Sequence, residues 1–247
     1  MMTLQQADID YFNLGQAENP RYWGRFGGGK PDFNGAVVVD FGCGHGSLCV
    51  DIAQSGAKRV LGLDLNARLI DFANENLKRN YPQFADTIEF RLQDLRETPE
   101  VGIDYFVSKD TFEHVLELEQ VLAEMKKRLK PRGYVYTGFS PLWNSPFGGH
   151  GLTKRQLPWG HILLSERFLV KRHNRSHSKK ATSIRDLGLN TVSLVEHRRI
   201  LRSCGMEIVF LKVNAGERPL LRLFSLIRHV PFLDEYFSHN LYCILQK

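Results

Sequence analysis

The chain has 247 residues, 43% of them hydrophobic, which is enough to bury the core of one α/β domain. No apolar run approaches the roughly 18 residues of a membrane span, and the N-terminus lacks the basic and apolar regions of a signal peptide. The four cysteines show neither C-x-x-C nor zinc-ligand spacing. We therefore expect a cytoplasmic protein with no membrane partner and no metal site.

The net charge of +6 is concentrated in one segment of the chain. Residues 141–190 hold nine Lys and Arg but only two acids, Glu166 and Asp186, whereas the remainder carries a net charge of −1. Such a segment can bind an anionic small molecule or a carrier protein, or the phosphates of RNA, or it can be a solvated loop. Composition alone leaves these alternatives open.

Residues 1–30 precede the first predicted strand. They carry two aromatic pairs, Tyr11-Phe12 and Tyr22-Trp23, in a polar setting, followed by three consecutive glycines. One interpretation is a helix that packs these rings against the edge of the sheet, and the other is a lid over a ligand. We assign residues 1–30 as an N-terminal helical lid segment.

The stretch from Val37 to Asp64 predicts a buried strand, a glycine turn, a helix and a second buried strand. Clustered glycines after a strand allow a sharp bend and a close approach of a ligand to the backbone. The second strand ends in Asp64, and an acid at this place suits the two hydroxyls of a ribose. The stretch therefore predicts a site for a cofactor that contains a nucleoside.

Two cofactor classes compete for this site. A dinucleotide site has the pattern G-x-G-x-x-G, but here the third glycine position is Ser47. Asp40, just before the turn, would also repel a pyrophosphate. S-adenosylmethionine has no phosphate and carries an ammonium and a sulfonium, so the position of Asp40 favours it.

Further strands and helices alternate along the chain, apart from one irregular segment between residues 140 and 190. The pattern predicts helices over 66–80, 117–130 and 193–204 and apolar helical turns within 216–238, together with strands over 88–92, 103–108, 134–139, 207–213 and 240–246.

Four motifs in this order resemble the class I S-adenosylmethionine-dependent methyltransferases. They are D-F-G-C-G-H-G from Asp40, G-L-D-L-N from Gly62, Q-D-L from Gln93 and D-Y-F-V-S-K-D-T-F-E-H-V from Asp104. The resemblance implies an α/β fold with a doubly wound, mostly parallel seven-stranded sheet whose last strand is antiparallel. It also implies a methyltransferase domain at 31–140 and 188–247, interrupted by a cap at 141–187.

The resemblance further implies S-adenosyl-L-methionine as cofactor. In the family, the acid at Asp94 hydrogen-bonds the adenine amino group and Leu95 packs beside the ring. We expect Lys109, just past the fourth strand, to line the pocket near the methionine part of the cofactor. The full set of expected cofactor-binding residues is Asp40, Gly42, Cys43, Gly44, Asp64, Leu65, Asp94, Leu95, Ser108 and Lys109.

The irregular segment is the expected substrate cap. Its aromatic residues predict an ordered part at 141–170, and residues 171–183 are interpreted as a mobile basic loop. A general base is needed if the methyl acceptor is a protonated hydroxyl or amine, and histidine suits that role near neutral pH. We name His150 and His161, with Glu166 as a partner that orients His161, as candidate catalytic residues, and rank His114 as more often structural.

The expected function is methyl transfer to oxygen or nitrogen of a small molecule, with an acidic, sugar-containing or natural-product acceptor in view. The alternative is a methyltransferase that acts on RNA or on a carrier-bound substrate through the basic residues 171–180. No RNA-binding module or base-clamping motif follows the fourth strand, where the sequence is Ser108-Lys109-Asp110-Thr111.

Overall fold

The computed structural model describes residues 4–153, 157–176 and 180–247. Within them a single sheet contains seven strands, which are β1 (Val37–Phe41), β2 (Arg59–Asp64), β3 (Ile88–Leu92), β4 (Ile103–Lys109), β5 (Leu129–Phe139), β6 (Glu207–Val213) and β7 (Leu241–Gln246). Their order is β3-β2-β1-β4-β5-β7-β6, and β7 is antiparallel to both of its neighbours. The pairs among β1 to β5 are parallel. This confirms the predicted doubly wound, mostly parallel sheet.

The helices of the described residues are α1 (Gln6–Trp23), α2 (Ser47–Ala53), α3 (Ala67–Asn80), α4 (Leu118–Arg128), α5 (Gly160–Leu163), α6 (Glu166–Ser176), α7 (Leu194–Ser203) and α8 (Pro219–Ile227). Successive strand residues point to opposite faces of a sheet. Val38 accordingly packs with α1, α2 and α3 in one hydrophobic cluster, while Val39 packs with α4 and α7 in another. Among the described residues, no helix is long and apolar enough to cross a membrane.

Helix α1 packs the aromatic residues of the N-terminal segment against the sheet. Phe12, Tyr22 and Trp23 are buried in the core. The Tyr22 hydroxyl donates a hydrogen bond of 3.0 Å to the carbonyl oxygen of Ser108, and Trp23 Nε1 donates one of 2.7 Å to Asp51 on α2. These contacts fix α1 beside the carboxyl ends of the strands.

The predicted basic loop is partly helical. Helix α6 extends to Ser176, because Leu169 and Val170 on its inner side pack with Ala181 and Ile184 in a small hydrophobic cluster of their own. The prediction of a loop over residues 171–176 is therefore wrong, while residues 177–179 lie outside the described part of the chain. The run of basic residues hid the apolar spacing of this helix in the sequence.

Candidate active site

The glycine turn joins β1 to α2 with three left-handed residues. Gly42, Gly44 and Gly46 have φ angles of +78°, +53° and +81°, which side chains rarely allow. A Cβ atom on Gly42 would lie 2.3 Å from Oγ1 of Thr111, and one on Gly46 would lie 2.4 Å from the ring of Phe90. At Gly44 a Cβ would meet no atom within 4 Å, so this residue borders open space.

Asp64 at the end of β2 holds the glycine turn. Its Oδ2 accepts a hydrogen bond of 2.8 Å from the Gly44 amide, and its Oδ1 accepts one of 2.8 Å from the Asn66 amide. Asn66 in turn caps α3 by accepting a hydrogen bond from the Arg68 amide. Because each carboxylate oxygen has a second lone pair, Asp64 can still accept two further hydrogen bonds.

Asp40 lies beneath the turn and is almost fully buried. Its Oδ2 accepts a hydrogen bond of 3.2 Å from the Cys49 thiol. Burial raises the pKa of the Asp40 carboxyl to about 7, although the Cys49 contact acts in the opposite direction. Cys43 beside it is a buried free thiol whose pKa is raised by burial, so it is not an activated nucleophile.

These residues border a cleft of about 1150 Å³ at the carboxyl edge of the sheet. The glycine turn, the ends of β2 and β4 and the start of α4 form its walls, and α1 contributes Asp8, Tyr11 and Glu18. Seven acids line the cleft against three Lys and Arg, which makes it a site suited to a cation. Asp40 and Asp64 belong to this acidic set.

Lys109 and Ser108 at the end of β4 have different environments. Lys109 lines the cleft, where its Nζ donates a hydrogen bond of 3.1 Å to Asn19, and burial lowers its pKa. Ser108 is buried, and its hydroxyl donates to the carbonyl oxygen of Phe41 at 3.0 Å. The Ser108 side chain therefore supports the sheet edge and does not border the cleft.

Asp94 and Leu95 follow β3. Asp94 lines the cleft, and its Oδ1 accepts the Arg96 amide at 2.8 Å. Hydrogen bonds from the Arg96 side chain lower the pKa of Asp94. Leu95 is fully buried among core residues, whereas Leu65 is 72% exposed and lines the cleft. The Leu65 side chain therefore lines the cleft and the Leu95 side chain does not, and the expected packing of Leu95 beside a bound ring stays a prediction.

The three candidate catalytic residues of the cap do not meet in the cleft. His161 is buried, with Nε2 2.5 Å from the Trp143 carbonyl oxygen, and Glu166 Oε1 accepts the Ile184 amide at 2.8 Å. Both side chains therefore bind parts of the cap, and Glu166 does not orient His161 through any hydrogen bond found in the described residues. None of the described residues of 141–187 lines the cleft.

His114 reaches the cleft in place of the cap histidines. Its Nδ1 lies 2.5 Å from the Gly188 carbonyl oxygen, so Nδ1 carries the proton and Nε2 is the acceptor. The ring of His150 lies behind it, with 5.5 Å between the ring centroids. Burial lowers the pKa of His150 to about 4, and His114 adds to the effect. The adjacent Glu113 is buried, which raises its pKa well above the usual range.

A contact between α1 and the glycine turn was not foreseen in the sequence. Asp8 accepts a hydrogen bond of 2.9 Å from Nε2 of His45 and also binds Arg68 on α3. The ring of Tyr11 lies over His45, with 4.7 Å between centroids. The contact joins residues 37 positions apart and forms only when α1 docks on the turn. No local pattern in the sequence could therefore predict it.

Comparisons with known proteins agree with this geometry. A sequence model described as a methyltransferase domain matches residues 32–177. Ribosomal protein L11 methyltransferase of Alteromonas mediterranea is 32% identical over 96 residues, which are 39% of this chain and 32% of that protein. Ubiquinone biosynthesis O-methyltransferase of Neisseria meningitidis is 27% identical over 143 residues, 58% of this chain and 55% of that protein. The chain thus spans about a third to a half of the length of these curated relatives.

Among solved structures, an S-adenosylmethionine-dependent methyltransferase from Mesorhizobium loti is similar over 94% of this chain and 98% of its own, with a TM-score of 0.59. Its sequence identity is 18%, so the similarity is one of fold. The similarity in fold therefore extends beyond residues 32–177, which the domain model matches.

Proposed function

This chain belongs to the methyltransferase domain family, and from that premise we propose that it transfers a methyl group from S-adenosylmethionine to an oxygen or nitrogen atom of a small molecule. The observation that supports a small acceptor is the cleft itself. Its volume of about 1150 Å³ exceeds the roughly 300–1000 Å³ of an ordinary single-ligand site, and α1 borders one side of it. It therefore has room for the cofactor and for a second small molecule.

The residues present fit the cofactor. Asp64 retains two acceptor positions for the ribose hydroxyls, and the open space at Gly44 lets a ligand approach the backbone. Leu65, exposed beside Asp64, offers an apolar surface to the adenine. The acidic lining, with Asp40 at its base, suits the ammonium and sulfonium. Bound there, the cofactor supplies an electrophilic methyl group on a sulfur that leaves as a neutral thioether.

The protein's part in the reaction is to position the acceptor, exclude water and remove a proton. The Nδ1–H donated to Gly188 fixes the tautomer of His114 and directs an unprotonated Nε2 to act as the base. His114 Nε2 would take up the proton that the hydroxyl or amine of the acceptor loses when it is methylated. Holding the reactants in line supplies up to about 7–11 kcal/mol of the rate enhancement.

The basic segment gives no support for an anionic acceptor inside the cleft. Lys171, Arg172 and Arg175 lie on α6, and no described residue of 171–180 lines the cleft. Lys109 is the cation of β4 that does line it, and the acids of the cleft outnumber its cations. We therefore propose a neutral or weakly acidic acceptor with a hydroxyl or amine group.

Calorimetry with S-adenosylmethionine tests the cofactor site, with Asp64→Ala as the variant and Asp71→Ala, an exposed acid of α3, as the matched control. We expect binding by the native chain and the control and its loss in Asp64→Ala. The acceptor is tested by following conversion to S-adenosylhomocysteine with phenols, alcohols and amines, and in parallel with RNA and with an acyl carrier protein. Turnover confined to either macromolecule would overturn the small-molecule proposal.

A further inference from the structure

The outer face of α8 is apolar and has no partner within the described chain. Leu221 and Phe224 point inward and are buried. Leu223 and Leu226 lie on the opposite side, and Leu226 is 72% exposed. Folding gains nothing from large apolar side chains in water, so a row of them along one helix face marks an interaction surface.

The loop after α8 continues this surface. Phe232 is 92% exposed and has a φ of +69°, a conformation that bulky side chains rarely adopt. Val230, two residues earlier, is also exposed, and Pro231 lies between them. An aromatic ring held outward at the tip of a loop can enter an apolar phase without any rearrangement of the fold.

A chain of aromatic rings links α8 to the cap. Phe224 of α8 contacts Phe237, with 5.4 Å between the centroids, and Phe237 contacts Trp159 at 5.3 Å. Trp159 precedes α5, whose Leu163 is 75% exposed, and Phe168 of α6 is also exposed. The cap segment that begins α5 therefore packs next to α8. We call the exposed apolar residues of α8 and of the loop after it the apolar face; its members are Leu223, Leu226, Val230 and Phe232.

The borders of the apolar face are cationic. Arg218, which directly precedes α8, and Arg222 within it are exposed and form no ion pair with the described residues. The acids near them point inward. Asp234 pairs with Arg198 and Arg228, and Glu235 accepts hydrogen bonds from the Leu194 and Val195 amides at the start of α7. Glu217 is the exposed acid that remains in the connection between β6 and β7.

We propose that the apolar face binds the surface of an anionic lipid bilayer. Leucine and phenylalanine beside arginine on one helix face are the features of a helix that lies in the plane of a membrane interface. The arginine stems can bury against acyl chains while their guanidinium groups reach the phosphates. A surface association needs no spanning helix, so it replaces the sequence-based expectation of no membrane partner.

A second copy of the chain is a poorer occupant. A two-fold dimer places the same patch on both subunits, so the exposed Arg218 and Arg222 would face a patch whose exposed acid is Glu217 alone. A bilayer that contains anionic lipids supplies both the apolar phase and the opposite charge. The face lies on the connection that follows β6, whereas the glycine turn and Asp64 lie on the other half of the sheet, so the two surfaces can be tested separately.

Co-sedimentation of the full chain with phosphatidylcholine vesicles, with and without one third phosphatidylglycerol, tests the proposal. We expect binding to the anionic vesicles that weakens as salt is added. The pair Leu223→Gln and Leu226→Gln should lower the partition coefficient at least about tenfold. The matched control is Leu92→Gln with Val101→Gln, two exposed apolar residues beside the opposite edge strand β3, which should bind as the native chain does.

Arg218→Gln with Arg222→Gln should weaken binding to anionic vesicles and leave the weak binding to phosphatidylcholine unchanged. Every variant is also tested for S-adenosylmethionine binding by calorimetry. Retained binding shows that the variant is folded and that its loss of vesicle binding does not come from the cofactor site. The proposal is overturned if the native chain does not sediment with anionic vesicles or if the control pair loses as much binding. It is also overturned if the native chain dimerises in solution and the leucine pair abolishes the dimer.

Discussion

Nε2 of His45 in the glycine turn lies 2.9 Å from a carboxylate oxygen of Asp8 on α1, and both side chains are buried. This hydrogen bond joins the N-terminal helix to the loop that borders the cofactor site. Arg68 of α3 binds the same carboxylate, so three separate elements meet at Asp8. The position of α1 over the cleft is therefore coupled to the conformation of the glycine turn.

Asp8→Ala should weaken S-adenosylmethionine binding severalfold, because α1 loses its polar contact with the turn and leaves the buried His45 without its partner. Calorimetry measures the affinity. Asp10→Ala, on the exposed side of the same helix, is the matched control and should bind as the native chain does. Equal cofactor affinity in the two variants would show that the contact between Asp8 and His45 does not contribute to cofactor binding.

The pKa of Asp40 predicts a pH dependence of cofactor binding. Its folded pKa of about 7 lies above the ordinary 3.8, so the carboxyl becomes charged as pH rises through 7. The cationic cofactor favours the charged form, and its affinity should therefore increase about tenfold between pH 6 and pH 8. Asp40→Asn should remove this dependence. A native affinity that is flat over this range would contradict the assignment.

The raised pKa of Asp40 also makes the stability of the fold depend on pH. Because the folded state binds the Asp40 proton more tightly than the unfolded state, the free energy of unfolding falls as pH rises between about 4 and 7. Asp40→Asn should lessen this fall. Urea denaturation of both proteins across that pH range measures the effect.

Two glycines of the turn should respond differently to alanine. Gly46→Ala places a Cβ atom 2.4 Å from the Phe90 ring in a left-handed backbone, so it should cost about 2–5 kcal/mol of unfolding free energy. Gly44→Ala meets no neighbouring atom and should cost about 1–2 kcal/mol from its backbone conformation alone. Its methyl group points into open space, so it should instead impair cofactor binding. Urea denaturation and calorimetry together separate the two effects.

Two leucines provide a second contrast. Leu95→Ala removes a fully buried side chain and should cost about 2–5 kcal/mol of stability. Leu65→Ala, at an exposed position in the cleft, should change stability by less than about 0.5 kcal/mol and lower cofactor affinity. Lower cofactor affinity in Leu95→Ala, with unchanged affinity in Leu65→Ala, would support the predicted contact between Leu95 and the adenine.

His114→Gln should lower the methyl-transfer rate by about 10²- to 10⁴-fold and leave cofactor affinity unchanged, because only the proton acceptor is lost. His150→Gln, behind His114, should have a much smaller effect on the rate. His161→Gln should chiefly lower the melting temperature, since His161 binds the Trp143 carbonyl inside the cap. Stopped methyl transfer in His161→Gln with an unchanged melting temperature would favour the sequence-based assignment.

The sequence alone determined the sheet, the glycine turn and the methyl donor. Each rests on local information: the apolar runs of β1 and β2, the glycines at positions that need a positive φ, and Asp64 at the end of a parallel strand. A parallel sheet brings the carboxyl ends of its strands to one edge, so strand order and short motifs suffice to place these residues.

Only the tertiary structure decided which side chains border the cleft. His114 faces it and His161 does not. Leu65 is exposed there, while Leu95, which was also expected to bind the cofactor, is buried. Residues in turns and caps have no periodic pattern to reveal their orientation. Their direction is set by distant contacts, such as His114 with Gly188, and these exist only once the chain has folded.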